Sequence, residues 1–233
     1  MPRPRPAPPV PHRVLAALAL LLLGARMEAV AQGSQAAQAS PAAVTADDPR
    51  GAALVERLRR GGLVLFVRHA DTTGMACDRS YRIGDRAGQR NLSEPGRDQA
   101  RRIGEALRRL AVPVATPVLA GPVFRARDTA ELAFGPDRVA VTDGLTADDY
   151  AGARLPELLE AHRALFTQAP PAGANRVLVG HRTPAILVLG SGIGGDAFPE
   201  GAALVLEPRR PLPDLLGILV LAPVPGRGFH GCR

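Results

Sequence analysis

Four side chains in this chain combine into one chemistry. Arg68 and His69 stand together after the apolar run Val64-Leu65-Phe66-Val67, and Arg125 falls in the first turn of a helix expected from about Val123. His181 follows a second apolar run, Arg176-Val177-Leu178-Val179-Gly180. Both runs read as short strands buried on both faces, the kind found inside a parallel sheet. Open α/β sheets present their ligand-binding groups at the carboxyl ends of such strands, so residues distant in sequence can converge there. Two guanidinium groups and two imidazoles at one edge make an anion site. A phosphoryl group fits it, because each guanidinium can donate a bidentate pair to phosphate oxygens. A histidine held neutral is a nucleophile at physiological pH, and attack on phosphorus gives a phosphohistidine that water later hydrolyses. The other imidazole and the arginines would stabilise charge on the equatorial oxygens. The leaving alkoxide then needs a proton, and a carboxyl group kept protonated by its surroundings is the usual donor.

The elements that must position these groups can be followed along the chain. At 233 residues, 46% hydrophobic and 22% charged, the composition is that of one globular domain. Tryptophan is absent and aromatics are 3%, so the core must be built from Ala, Val and Leu. Leu54, Val55 and Leu58 give one face to a short helix that Gly61-Gly62 ends before the first strand. Residues 71–91 have no sustained period and form a long loop, in which Arg79, Arg82, Arg86 and Arg90 either hang over the site or are solvated surface residues. Ser93 caps the clearest amphipathic helix, with Ala100, Ile103, Ala106, Leu107 and Leu110 on one face until Pro113. A strand at 118–120, the helix to Phe134, a strand at 139–141, an acidic loop at 143–152 and a helix over 156–166 follow. After the His181 strand come a helix at 183–189 and closing strands at 203–206 and 216–220. Strands alternating with helices predict a three-layer α/β/α sandwich around a mostly parallel sheet.

The first residues belong to export rather than to the fold. Arg3, Arg5 and Arg13 precede an apolar run over 14–24, and Ala29-Val30-Ala31 has the form of a cleavage site. This predicts a secretory signal peptide over 1–31, a flexible leader over 32–48 and a domain from Pro49 to the end, in a periplasmic or secreted protein that meets the membrane only in transit; an uncleaved anchor is the alternative. Cleavage would remove four arginines and one glutamate and lower the formal charge from +7 to +4. Every basic residue is arginine, yet none forms a block with interleaved aromatics, so nucleic acid is not an expected partner. In an oxidising compartment Cys77 and Cys232 would pair, the alternative being two free thiols. His230 and Cys232 lack a second cluster, so no metal site is expected.

Three motifs carry a family resemblance. Leu65-Phe66-Val67-Arg68-His69-Ala70 resembles the Arg-His-Gly/Ala motif of the histidine phosphatase superfamily, whose fold is phosphoglycerate-mutase-like. Gly121-Pro122-Val123-Phe124-Arg125 with Thr129-Ala130 resembles its Ser-Pro-x-x-Arg-x-x-x-Thr-Ala motif, and Val177 to His181 resembles its second-histidine strand. Asn91-Leu92-Ser93 with Gly96 fits the start of the helix that the family uses, and the similarity spans about residues 50–222. The resemblance implies His69 as the phosphorylated nucleophile and Arg68, Arg125 and His181 as the other members of the phosphate pocket. It also implies metal-independent, cofactor-free hydrolysis of a phosphomonoester.

Some positions depart from the family pattern. Gly121 stands where the family usually has serine, which removes a hydroxyl near the pocket, and Arg182 follows His181 where a small residue is common; it either reaches substrate or faces solvent. For the acid, the family's region after the third strand offers Asp143, Asp148 and Asp149, with Asp148 at about the family offset from Leu145 and Asp71 and Glu200 as further candidates. Mutase activity is the rival within the family, ranked second because it belongs to cytoplasmic metabolism. A domain that binds phosphorylated ligands without turnover is the rival outside it. Arg68-His69-Ala70-Asp71 with Cys77-Asp78 is also similar to exported heptose phosphatases, which implies a small-molecule or envelope phosphosugar as substrate.

Overall fold

The computed structural model describes residues 42–74 and 77–226. The expected signal peptide, most of the leader, and His230 and Cys232 lie outside them. Seven strands form one sheet: β1 (Val44–Thr45), β2 (Val64–Arg68), β3 (Val118–Ala120), β4 (Val139–Val141), β5 (Arg176–Gly180), β6 (Ala202–Glu207) and β7 (Asp214–Val220). Their order is β1-β7-β6-β2-β5-β3-β4. All pairs are parallel except the two that β6 makes with β2 and β7. The sheet is therefore mostly parallel, as the alternation of strands and helices implies.

Among the described residues five α-helices flank it: α1 (Pro49–Arg59), α2 (Glu94–Arg109), α3 (Phe124–Phe134), α4 (Leu155–Thr167) and α5 (Arg182–Leu189). The period of two along each strand assigns them to two layers. Leu65 and Val67 of β2 and Val177 and Val179 of β5 join a core with residues of α1, α2 and α3, including Leu58, Ile103, Leu107 and Ala130. The alternate residues Val64, Phe66 and Leu178 join the other core, with Phe166 of α4 and Ala185 and Val188 of α5. A strand buried on both faces cannot alternate apolar with polar, which is why β2 reads as an unbroken apolar run.

Local chemistry fixes the helix starts. The Asp48 side chain accepts from the Arg50 N–H at 2.8 Å, and the Ser93 hydroxyl accepts from the Gly96 N–H at 2.9 Å, each satisfying a donor that has no partner within its helix. The order expected from Pro49 begins earlier: Val44, buried against the core, pairs with Leu219 at the edge of the sheet. Two residues among alanines carry no readable period. The acidic stretch 143–152 is also more ordered than a plain loop, forming three successive single-turn 3₁₀ segments.

Candidate active site

Register brings the chemistry to one level of the sheet. Arg68 is opposite Gly180 and Ala120 is opposite Val179, so β2, β5 and β3 end together. His69, His181 and Gly121 are the next residues in each case. The His69 N–H donates to the Gly180 carbonyl at 3.0 Å, extending the ladder one step past β2. His181 then caps α5, and Arg125 is the second residue of α3. Arg68, His69, Arg125 and His181 are all buried, and all border one cleft of about 330 Å³. The two imidazole rings lie 5.4 Å apart between centroids.

The protonation of His69 follows from its partner. Its Nδ1 lies 2.9 Å from the Ala70 carbonyl oxygen, which can only accept, so Nδ1 carries the proton and Nε2 keeps its lone pair. Burial pushes the imidazole well below its ordinary pKa, and the charges of Arg125, Arg68 and His181 push it further. His69 is thus neutral at pH 7. His181 is lowered in the same way, by burial first and then by Arg125, and its buried Nε2 has no hydrogen-bond partner among the described residues.

The arginines are held from behind. Arg68 donates to the Phe198 carbonyl at 2.8 Å and approaches Glu200 at 3.4 Å, and burial lowers its pKa to about 10. Arg125 donates to Asp78 at 2.9 Å, and both side chains are nearly inaccessible. Asp78 also accepts from the Arg90 N–H and, at 2.8 Å, from the Tyr150 hydroxyl. Burial alone would raise the Asp78 carboxyl, but the Arg90 N–H and the charge of Arg125 outweigh it and hold the pKa below the usual range. Thr129 ties the segment that follows His69 to the helix of Arg125, accepting from the Ala70 N–H at 2.9 Å and donating to the Arg125 carbonyl at 2.7 Å. That bridge explains the threonine four residues after Arg125.

The acid candidates separate by position. Asp148, half-buried in a 3₁₀ turn, borders the cleft, and burial followed by the neighbouring Asp149 raises its pKa although Thr183 hydrogen-bonds to it. Asp149 borders the cleft as well, but is exposed. Asp71 instead accepts from the Ser93 hydroxyl at the start of α2, and Glu200 binds Arg68 and Thr72; neither borders the cleft. Asp143 is exposed on another turn, outside the cleft lining.

Of the loop arginines only Arg90 borders the cleft. Arg86 clamps Asp128 with both ends of its fork, at 2.6 and 2.8 Å, and lies over the Phe124 ring; Arg79 donates to the Ala87 carbonyl; Arg82 is exposed. Arg182 borders the cleft and donates to the Gly195 carbonyl at 2.8 Å. Cys77, also at the cleft, is disulfide-bonded. Asp78, Tyr81, Tyr150 and Thr183 were not singled out in the sequence as site residues. Asp78 has no spacing to mark it, but its place beside Cys77 in the long loop was a signal.

Gly121 needs correction. It marks no missing hydroxyl, because a Cβ there would come within 2.2 Å of the Leu145 carbonyl oxygen. Glycine lets the segment leading to Asp148 pack onto the end of β3. Gly121→Ser is accordingly expected to cost about 1–3 kcal/mol, the range for overpacking, and to lower the thermal midpoint by several degrees. An unchanged midpoint by calorimetry would contradict this close approach.

Among the described residues no group of three His, Cys, Asp or Glu side chains could hold a metal ion. Residues 64–176, which include Arg68, His69, Arg125 and Asp148, match the model of the histidine phosphatase superfamily (branch 1). The mixed, mostly parallel sheet with its flanking helices is an α/β fold. Similar solved structures include a putative phosphohistidine phosphatase SixA from Agrobacterium tumefaciens, 24% identical, covering 70% of this chain and 99% of that one at a TM-score of 0.44. A putative alpha-ribazole-5'-P phosphatase from Escherichia coli is 16% identical, covering 66% and 95% at 0.45. A putative SixA from Nakamurella multipartitia is 18% identical, covering 67% and 94% at 0.44. Among curated proteins there is no match.

Burial of neutral histidines has a consequence for stability. His69, His181 and His162 all have native pKa values below 6.5, burial being the largest cause for each. The unfolded chain takes up protons near pH 6.5 while the native one does not, so stability is full above that pH and falls as the pH drops below it. Three such groups give a slope of up to about 4 kcal/mol per pH unit. Urea midpoints of the ligand-free protein should fall markedly from pH 7.5 to 5.5; equal midpoints would show that these rings are not buried and neutral.

Proposed function

We propose that this chain hydrolyses a phosphomonoester through a phosphohistidine on His69. The observation that carries the reading is the fixed tautomer of His69: its Nδ1–H is held by Ala70, leaving a neutral Nε2 for the cleft that Arg68, Arg125 and His181 also border. In the first step the Nε2 lone pair forms the N–P bond as the P–O bond to the leaving group breaks. The departing oxygen takes the proton of Asp148, which its half-buried setting keeps available. Asp148, now a carboxylate, then removes a proton from water as its oxygen attacks phosphorus. The N–P bond breaks, and phosphate and neutral His69 are released. The arginines and His181 stabilise the charge on the transferring group in both steps.

The same reading takes the protein to be exported, cleaved near Ala31, and to act on a small or envelope phosphomonoester, with the cationic pocket meeting the charge demand that a metal ion would otherwise meet. The test is hydrolysis of p-nitrophenyl phosphate by the purified protein with a chelator present. Chelator-resistant release that a His69→Ala variant lacks supports the proposal. A folded wild type that binds inorganic phosphate and releases nothing from aryl or alkyl esters would instead favour a phosphate-ligand-binding module.

A further inference from the structure

The chain contains two tyrosines and no tryptophan, and one of the tyrosines, Tyr81, borders this cleft with the other packed against it. Tyr81 lines it from the long loop after β2 and is 49% exposed, whereas Phe66, Phe166 and Phe198 are fully buried in the core. Tyr150 lies against it edge to face, with ring centroids 5.5 Å apart at 68°. Tyr150 cannot swing freely, because its hydroxyl is bonded to Asp78, the carboxylate that also holds Arg125. The Tyr81 ring is therefore braced by a ring that is itself tied to the phosphate pocket. A half-exposed aromatic surface kept next to a charged pocket costs hydrophobic burial, and a ligand ring laid on it would recover that cost.

We infer that Tyr81, braced by Tyr150, is a stacking platform for the leaving group, so that the substrate is a phosphomonoester whose alcohol carries a flat-faced ring close to the ester oxygen. This rests on the phosphatase reading of the same cleft and adds the class of alcohol. The volume agrees: about 330 Å³ is at the low end for ligand pockets, with room for a phosphoryl group and a ring rather than a long chain. The ring can be aromatic or a sugar, since both present a flat apolar face, and substrates can tell these apart.

The experiment compares two matched pairs of esters, benzyl against propyl phosphate and glucose 6-phosphate against glycerol 3-phosphate, on wild type, Tyr81→Ala and Tyr81→Phe. The expected result is a preference in kcat/KM for the ring member of at least one pair by about five- to tenfold. Tyr81→Phe keeps that preference and Tyr81→Ala reduces it to less than twofold; the pair that responds identifies the ring. Thermal midpoints should fall by no more than a few degrees for Tyr81→Ala, because Tyr81 is half exposed and its packing is mainly on Tyr150. Should wild type turn over none of the esters, the phosphatase reading fails, and dissociation constants for the same pairs measure the platform by itself. No ring preference in either pair, or a preference that survives Tyr81→Ala, overturns the inference.

Discussion

Replacing His69 by alanine lowers the hydrolysis of p-nitrophenyl phosphate by at least about a thousandfold, on the scale seen when a nucleophile is removed from an active site. Arg68 and Arg125 cannot compensate, since a guanidinium has no lone pair to give. His181 carries an Nε2 with no hydrogen-bond partner among the described residues, but it follows a different strand, β5, and attack from there would need the phosphoryl group to turn within the cleft. The variant should keep its fold, because Thr129 still anchors the Ala70 N–H and the backbone of residue 69 still bonds Gly180. Inorganic phosphate should still bind, held by the two arginines. Residual activity within tenfold of wild type, measured on protein with an unaltered circular dichroism spectrum, would remove His69 from the nucleophile's role.

The second large effect depends on the substrate. Asp148→Asn removes the proton donor but preserves shape, so hydrolysis of an alkyl phosphate should fall by about 10²–10⁴, the contribution of general acid catalysis. The nitrophenolate of an aryl phosphate leaves without a proton, so its release in the first turnover should fall far less, although the later breakdown of the phosphoenzyme is slowed for both substrates. The contrast separates an acid from a merely structural aspartate, whose loss would slow both substrates alike. The pH profile provides a second check. Asp148 has a raised pKa, with burial and then Asp149 as the causes, so the alkyl phosphatase activity of wild type should persist to a higher pH than an ordinary aspartate would allow. Equal losses of first-turnover release on both substrates would return the acid's role to Asp149, which also borders the cleft.

The strand-end residues were legible in the sequence because burial on both faces leaves a simple signature. An apolar run that ends in Arg68-His69 or in His181 can be read without knowing its neighbours, and parallel pairing does the rest. Asp148 was readable only through the family resemblance, and its position at the cleft depends on Gly121 admitting the Leu145 carbonyl, a contact between residues that are close only in space. The role of Asp78 in holding Arg125 could not be read for the same reason, although its place beside Cys77 was a signal. Its three partners, Arg125, the Arg90 backbone and Tyr150, come from separate segments, and an aspartate in a long polar loop carries no period that would mark it. The loop arginines show the converse: similar in sequence, they divide into one that borders the cleft and three that do not. Val44 and Thr45 form a strand only because β7 offers them an open edge.

The central claim is that phosphorus is bonded for a time to His69. Rapid acid-free quenching of Asp148→Asn with an aryl phosphate, followed by peptide mapping under alkaline conditions, tests this directly, because the variant should form the phosphoenzyme while deprotonating water slowly in the second step. The expected result is a single phosphoryl group, stable to alkali and labile to acid, on the peptide containing His69, and none in His69→Ala. Steady hydrolysis with no labelled peptide, or a phosphoryl group on any other residue, would contradict the account.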